Sequence, residues 1–181
     1  MTIRDTIAQA ARSLVIGLTG LSSGKVILAE QSSTVGPRPA KPYITVKVGA
    51  IPEYGVDEVQ DKWTTGTTLV RHQRGYRRAS ISLNGFGAGA DDYLEMVRTG
   101  LQLPAAVTVR NSTNVSFANP GTILNLTDML DTSYEQQFAF DLEAAYIQDN
   151  TANLDIAATV TVSGSLLGDD DPLSIPITVT P

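Results

Sequence analysis

The fold is decided by a stretch in the middle of the chain, which reads Arg77-Arg78-Ala79-Ser80-Ile81-Ser82-Leu83-Asn84-Gly85-Phe86-Gly87-Ala88-Gly89-Ala90-Asp91-Asp92-Tyr93-Leu94. In its first half Ala79, Ile81 and Leu83 alternate with polar residues, a pattern that predicts a half-buried strand. After a glycine-rich turn, apolar residues recur at helical spacing, which predicts a helix from Ala88 to about Leu103. The inner side of this helix is expected to carry Tyr93, Leu94, Val97, Leu101 and the aliphatic part of Arg98.

Another helix is predicted closer to residue 1, between Asp5 and Leu18. Its apolar residues are spaced by three and four, at Ile7, Ala10, Ala11, Leu14 and Leu18. We expect Asp5 or Thr6 to cap its start and Gly17 or Gly20 to end it. In the helix predicted from Ala88 to about Leu103, the acidic residues 91 and 92 suit the first turn, where the helix dipole favours negative charge. Pro104 is expected to end that helix.

The other regular elements are predicted to be strands. They are Lys25–Ala29, Tyr43–Val48, Val107–Val109, Ile123–Leu126, Gln137–Tyr146, Ile156–Val162 and Ile175–Val179. The prolines of residues 34–42 require an extended backbone. The polar residues 49–66 indicate a long loop or an insertion, and the polar run 71–78 indicates a loop. We expect a single domain over residues 1–181, with the loop or insertion at about 49–76.

The order of these elements predicts the fold class. The two helices lie far apart in the sequence instead of alternating with strands, which argues against a doubly wound parallel sheet. We therefore expect an α+β fold, with a mainly antiparallel (mixed) β-sheet and two helices packed on one face. The terminal strands would be exposed and could pair with another subunit.

Composition excludes several classes of enzyme. The 181 residues include no cysteine, so thiol nucleophiles, zinc knuckles and disulfide scaffolds are ruled out. The one histidine, His72, does not make a multi-histidine metal site within one subunit, and its polar neighbours indicate a solvated loop.

A net charge of −6 is not typical of a nucleic-acid binder. No signal peptide or membrane span is evident.

Four short motifs resemble chemical sites, and each lacks something that the chemistry needs. Gly20–Val26 resembles a phosphate-binding loop but is one residue short and leads from a helix into a strand. Gly85–Ala90 resembles a dinucleotide fingerprint without the surrounding βαβ unit. Asp141 and Glu143 share a strand face with no histidine or cysteine nearby in sequence, and residues 169–171 indicate a charged turn. We expect no catalytic residue, no cofactor and no metal.

Charge is unevenly distributed along the chain. Five of the 13 basic residues lie close together in the middle, at Arg71, Arg74, Arg77, Arg78 and Arg98. The acidic residues 169–171 lie near the end of the chain. Copies with opposite local charges could dock head to tail, although a solvated charged surface is the commoner explanation. Arg71, Arg74, Arg77 and Arg78 are the candidate contacts with neighbouring subunits. Alternatively, these arginines face DNA in a lumen.

Three stretches resemble the phage neck terminator family, found among head–tail joining proteins of contractile and flexible tailed phages. They are Arg38–Val46, Arg78–Gly87 running into Ala90–Leu94, and Leu130–Leu142. Together they cover most of residues 35–162. The family usually has an arginine soon after the glutamate that matches Glu135, whereas this chain has Gln136 and Gln137, which puts a family salt bridge there in doubt.

The resemblance implies a tail-terminator-like fold and a structural virion protein rather than an enzyme. It implies a ring, expected to be a hexamer, that terminates the tail at the neck and joins it to the head connector. Partners would be other copies, the tail tube, sheath proteins in a contractile tail, and DNA passing through the lumen, but no membrane. Assembly in the host cytoplasm is expected. The alternative is a head-completion or tail-tube protein, followed by a small nucleotide- or carbohydrate-binding module.

Overall fold

The computed structural model describes residues 2–29, 38–64, 68–130, 133–154, 160–163 and 174–177. The chain divides into two compact units. The first unit comprises Met1–Gly55 and Tyr76–Ile147, and the second comprises Val56–Gly75 and Gln148–Pro181. The predicted single domain over residues 1–181 stays a prediction.

The described residues form three α-helices, a 3-10 turn and eleven strands. The helices are α1 (Ile3–Thr19), α2 (Ala90–Thr99) and α3 (Pro104–Thr113), and the 3-10 turn spans Ser23–Lys25. The strands are β1 (Val26–Leu28), β2 (Tyr43–Val48), β3 (Glu58–Trp63), β4 (Leu69–Phe86), β5 (Ser116–Ala118), β6 (Leu124–Asn125), β7 (Asp128–Leu130), β8 (Ser133–Glu135), β9 (Gln137–Leu154), β10 (Val160–Ser163) and β11 (Ser174–Ile177).

Seven strands form one mixed, open sheet. Its order is β1-β2-β4-β9-β5, with β3 also paired to β4 and β6 to β9. The β1–β2 pair is parallel, whereas the β2–β4, β3–β4, β5–β9 and β6–β9 pairs are antiparallel. Two further antiparallel hairpins are β7–β8 and β10–β11. The predicted α+β class is confirmed, and the packing of the helices on one face stays a prediction.

Alternating strand residues and the apolar stripe of α1 form the core of the first unit. Ala79, Ile81 and Leu83 of β4 are fully buried, as the alternation predicts. They share one hydrophobic cluster with Leu14 of α1 and Leu94 of α2. Burying each such aliphatic side chain contributes about 1.5–3 kcal/mol, so this cluster is the main source of stability in the first unit.

The start of α1 differs from the prediction. Thr2 caps the helix: its hydroxyl accepts a hydrogen bond from the Asp5 N–H at 3.2 Å, and the Asp5 carboxylate accepts one from the Thr2 N–H at 2.8 Å. Asp5 is therefore the reciprocal partner in a capping box rather than the cap, and Thr6 is not the cap either. Gly20 ends the helix with φ 70°, as predicted.

Pro104 begins a helix instead of ending one. Gly100 ends α2, where its N–H donates to the Met96 carbonyl, and Pro104 occupies the first turn of α3. A proline is well tolerated there because its missing N–H would have no partner in the helix. The predicted strand Val107–Val109 is consequently wrong, since these residues lie within α3.

Loops were predicted at residues 49–66 and 71–78. That prediction is wrong for the residues of β3 and β4, which pair with each other as an antiparallel hairpin. All six side chains of β3 are exposed, so the strand has no buried face and shows no alternation of apolar and polar residues. Whether this region is an insertion stays a prediction. Residues 34–37 and 169–171, and parts of the strands predicted at 156–162 and 175–179, lie outside the described residues.

Candidate functional site

The four candidate arginines all lie on β4, and each is paired with a carboxylate of its own unit. In the second unit, Arg71 lies 2.8 Å from Asp61 and Arg74 lies 2.9 Å from Asp149. In the first unit the pairs are Arg77 with Glu53 at 3.4 Å and Arg78 with Glu143 at 3.2 Å. The fifth arginine, Arg98, pairs with Glu95 on α2 at 2.7 Å. These positive charges are therefore largely compensated within the chain.

In the second unit the β3–β4 hairpin has two different faces. One face carries Val59, Asp61 and Trp63 of β3, opposite Gln73, Arg71 and Leu69 of β4 respectively. We call these six residues the tryptophan face. Arg71 donates two hydrogen bonds to Asp61, both of 2.8 Å, which join the two strands at the centre of this face. Val59 and Trp63, on either side of that pair, are 55% and 53% exposed.

The opposite face of the hairpin is polar. It lines an open cavity of about 220 Å³ together with two residues of β9, and the lining residues are Glu58, Gln60, Lys62, His72, Arg74, Asp149 and Thr151. We call this the polar groove. His72 lies on β4, opposite Gln60, and is half-buried, so the predicted solvated loop is wrong for this residue. Among the described residues no group of acidic, histidine or cysteine side chains is arranged to hold a metal ion.

The ion pairs of the second unit lower two carboxyl pKa values. Hydrogen bonds from Arg71 hold the pKa of Asp61 below its ordinary value, and hydrogen bonds from Arg74 do the same for Asp149. Both carboxylates therefore stay ionised at neutral pH. Neither is poised as a general acid, which would need a raised pKa.

In the first unit, Arg78 lies in an aromatic cluster on the surface. Its guanidinium stacks on the Tyr54 ring at 4.1 Å and lies 5.8 Å from the centre of the Tyr76 ring. The two tyrosines contact edge to face, with ring centroids 5.9 Å apart. Glu143 accepts hydrogen bonds from Arg78 and from Asn119. This arrangement orders two exposed tyrosines by cation–π contact.

Arg77 is different from the other three arginines because it is buried. Its side chain is 7% exposed, whereas its partner Glu53 is 76% exposed, and the two residues form an isolated β-bridge. Burial raises the pKa of the Tyr146 hydroxyl, and the Arg77 charge partly opposes that rise. Arg77 thus belongs to the framework of the first unit.

The structure also shows the local surroundings of the other motifs. Gly20–Val26 leads from α1 through a 3-10 turn into β1, as expected, and Gly85–Ala90 joins β4 to α2. Asp141 is exposed, and Glu143 serves the Arg78 pair. Glu135 forms a 2.8 Å ion pair with Lys41, which lowers the pKa of the Glu135 carboxyl.

Sequence reasoning missed Val59, Trp63, Tyr54 and Tyr76 as surface features. Val59 and Trp63 lie four positions apart, so their side chains share one face of the strand, but the charged Asp61 between them breaks the alternation that would have marked that face in the sequence. Tyr54 and Tyr76 lie 22 positions apart in sequence, and they meet because the Tyr54 N–H donates to the Tyr76 carbonyl at 3.2 Å, a pairing that no local pattern predicts.

The fold is α+β, and its described surface carries ion pairs and exposed aromatic side chains, the latter a residue type enriched at protein interfaces. The family described as "Phage neck terminator protein" matches residues 5–169. The chain therefore belongs to the phage neck terminator family, and it is a structural protein of the phage neck. The resemblance recognised from the sequence is confirmed. No curated protein matches the chain.

Family membership leads to two conclusions about where the protein is found and what it contacts. A phage neck protein is a component of the virion and interacts with other phage tail or head proteins. Within the part of the chain that the structure describes, no helix is long and apolar enough to cross a membrane.

Proposed function

We propose that this protein forms a closed ring, expected to contain six copies, that terminates the tail at the phage neck and joins it to the head connector. The observation that carries the proposal is the family match over residues 5–169. Its partners are other copies of itself, the tail tube, the connector and, in a contractile tail, the sheath. It catalyses no reaction, and it assembles in the host cytoplasm before entering the virion.

The compensation of charge on β4 supports a role in protein contacts rather than DNA binding. A protein that binds DNA through phosphates needs cations that are free to replace counterions. Arg71, Arg74, Arg77 and Arg78 instead form ion pairs inside the chain. As contacts between subunits, Arg74 and Arg78 would act as ordered, paired groups at the surface. Passage of DNA through the lumen requires no such binding.

The test is the solution mass of the purified protein across a concentration series. A closed ring gives one fixed multiple of the 19.2 kDa chain that no longer grows with concentration. A tail-tube protein would polymerise without limit, which would favour the alternative. A species that stays monomeric even when mixed with purified tails would contradict the ring.

The contact role of the arginines has a separate test. Charge reversal at Arg74 and Arg78, made as Arg74→Glu and Arg78→Glu, should weaken ring formation or head–tail joining, while the same change at Arg98 on α2 serves as the control. If the double variant forms rings and joined particles normally, neither Arg74 nor Arg78 contributes to the interface.

A further inference from the structure

Strand β3 forms an edge of the seven-stranded sheet. Within the part of the chain that the structure describes, β3 pairs with β4 alone, and all six of its side chains are exposed. An edge strand of this length presents a row of backbone N–H and C=O groups to which another strand can bind, so proteins either block such an edge or pair it. The side chains of β3 indicate which strand fits.

Two charged side chains of β3 have no ion pair among the described residues. Glu58 and Lys62 lie four positions apart, and both line the polar groove. Glu58 lies opposite Arg74, but the Arg74 guanidinium donates two hydrogen bonds to Asp149. Lys62 lies opposite the apolar Val70. The hairpin therefore gives neither of the two charges an ion-pair partner.

The spacing of these two charges makes the edge complementary to itself. When two copies of β3 run antiparallel with Gln60 opposite its counterpart, Glu58 of each copy lies opposite Lys62 of the other. Residues directly opposite in an antiparallel pair have Cβ atoms about 4.5–5.5 Å apart, and opposite charges there attract each other. Because side chains alternate between the two faces of a strand, this register also keeps both polar grooves on one side of the combined sheet.

The same charges disfavour other strands. A lysine on an edge strand works against pairing with a strand that has no carboxylate at the opposite position, because the lysine would lose water without gaining a partner. A second copy of β3 supplies that carboxylate, and the two-fold axis repeats the Glu58–Lys62 pair. Charge complementarity therefore selects a second copy as the occupant of this edge.

We propose that the outer edge of β3 pairs with the same edge of a second copy, antiparallel and centred on Gln60. The contact joins the sheets of the two second units across a two-fold axis. It is additional to the contacts of the proposed ring, because a two-fold contact closes after two copies, whereas a ring of six needs a contact that repeats around its axis. The pairing covers an edge that is otherwise open to unwanted strands.

Charge variants test the register through the mass of the purified protein in solution. The wild type is expected to double its mass, whether the pairing unit is a single chain or a ring, in a step that depends on concentration. Glu58→Lys places lysines opposite each other, and Lys62→Glu places glutamates opposite each other, so each variant alone should weaken the doubling at least tenfold. An equimolar mixture of the two variants should restore it, because both lysines of one copy then face both glutamates of the other.

A matched control separates this effect from a general change in charge. Asp141→Lys makes the same charge change as Glu58→Lys at an exposed strand residue, but it lies in the first unit. The doubling should be unchanged in this variant.

A disulfide test gives the position of the two-fold axis. The chain contains no cysteine, so Gln60→Cys introduces one thiol per copy at the centre of the proposed register. Oxidation should link two copies through this thiol, because the two cysteines lie directly opposite each other and within reach of a disulfide. Thr151→Cys, at an exposed position of β9 in the same unit, should stay unlinked.

Each result either supports the edge pairing or overturns it. Wild-type protein that never doubles its mass overturns it, and so does doubling that both single charge variants retain. A mixture of the two variants that fails to pair, with circular dichroism and Trp63 emission showing both to be folded, overturns it as well. The proposed ring is judged separately: a ring that forms without doubling contradicts only the edge pairing, and single chains that double without forming a ring contradict only the proposed function.

Discussion

At the scale of single residues, the four arginines of β4 have different roles although they are chemically identical. Arg71 and Arg74 are about half exposed and pair with carboxylates that are also accessible. Arg77 is buried and holds its guanidinium beside an exposed Glu53 and the Tyr76 carbonyl. A surface ion pair contributes little to stability, whereas a buried guanidinium that has hydrogen-bond partners is costly to remove.

Arg77→Ala should therefore destabilise the protein far more than Arg71→Ala. We expect a loss of about 2 kcal/mol or more in the free energy of unfolding for Arg77→Ala, because buried polar contacts and side-chain packing both disappear. Urea denaturation measures it, with Arg71→Ala as the control that changes little. The pKa of Tyr146 should rise further in Arg77→Ala, since the opposing positive charge is gone. Equal destabilisation by the two variants would contradict the assignment.

The paired carboxylates also predict the response to acid. The pKa values of Asp61 and Asp149 are lower in the folded protein than in the unfolded chain, where an aspartate has a pKa of about 3.9. Their contribution to stability is therefore present above about pH 4 and is lost as the pH falls through the folded-state values. Arg74→Gln should raise the pKa of Asp149 toward its ordinary value and leave that of Asp61 unchanged. Carboxyl NMR titration checks this, and an unchanged Asp149 would contradict the pairing.

At the scale of elements, the turn from β4 into α2 depends on Gly87. Its φ is +95°, and a Cβ built there would lie 2.7 Å from the Lys41 Cβ. Its N–H donates to the Gln136 carbonyl at 2.9 Å, which ties the turn to the residue after β8. A side chain at this position would force both an unfavourable backbone conformation and a collision.

Gly87→Ala should consequently lower stability by about 1–3 kcal/mol, in line with the cost of a strained backbone position. The matched control is Gly24→Ala, since Gly24 has an ordinary φ and nothing within 4 Å of its added Cβ. Thermal unfolding of the two variants gives the comparison. Similar midpoints for Gly87→Ala and the wild type would show that the turn can relax at little cost.

The elements also show which parts of the fold the sequence could predict. Strand β2 and the inward residues of β4 and β9 have one buried face, and their alternation predicts them correctly. The β3–β4 hairpin has no buried face on β3, so periodicity carried no signal, and its stability comes from cross-strand pairs such as Asp61 with Arg71 that sequence alone cannot assign. Pro104 was ambiguous, because proline suits both the residues after one helix and the first turn of the next.

The charged surface could be predicted from the sequence only in part. The arginine cluster is visible as composition, but its partners Glu53, Glu143 and Asp149 lie up to 75 positions away in sequence. Pairing across that distance depends on strand register, which no local pattern encodes. The family, by contrast, was recognisable from three stretches of local sequence, which required no knowledge of how the strands pair.

At the scale of the whole molecule, stability and charge are unevenly divided between the two units. The buried apolar side chains found in residues 2–29, 38–64, 68–127 and 135–154 all belong to the first unit. The second unit carries most of the net charge, and in its β3–β4 hairpin all six side chains of β3 are exposed. A hairpin of this kind is marginally stable without an apolar face to bury.

We therefore expect the second unit to open before the first unfolds. Trp63 fluorescence reports on the second unit alone, and far-ultraviolet circular dichroism reports mainly on the helices, of which the three described, α1, α2 and α3, lie in the first unit. In urea, the fluorescence transition should occur at a lower concentration than the dichroism transition, because local opening costs less than disruption of the buried core. Coincident transitions would show instead that β4 and β9, which run through both units, couple them into one cooperative structure.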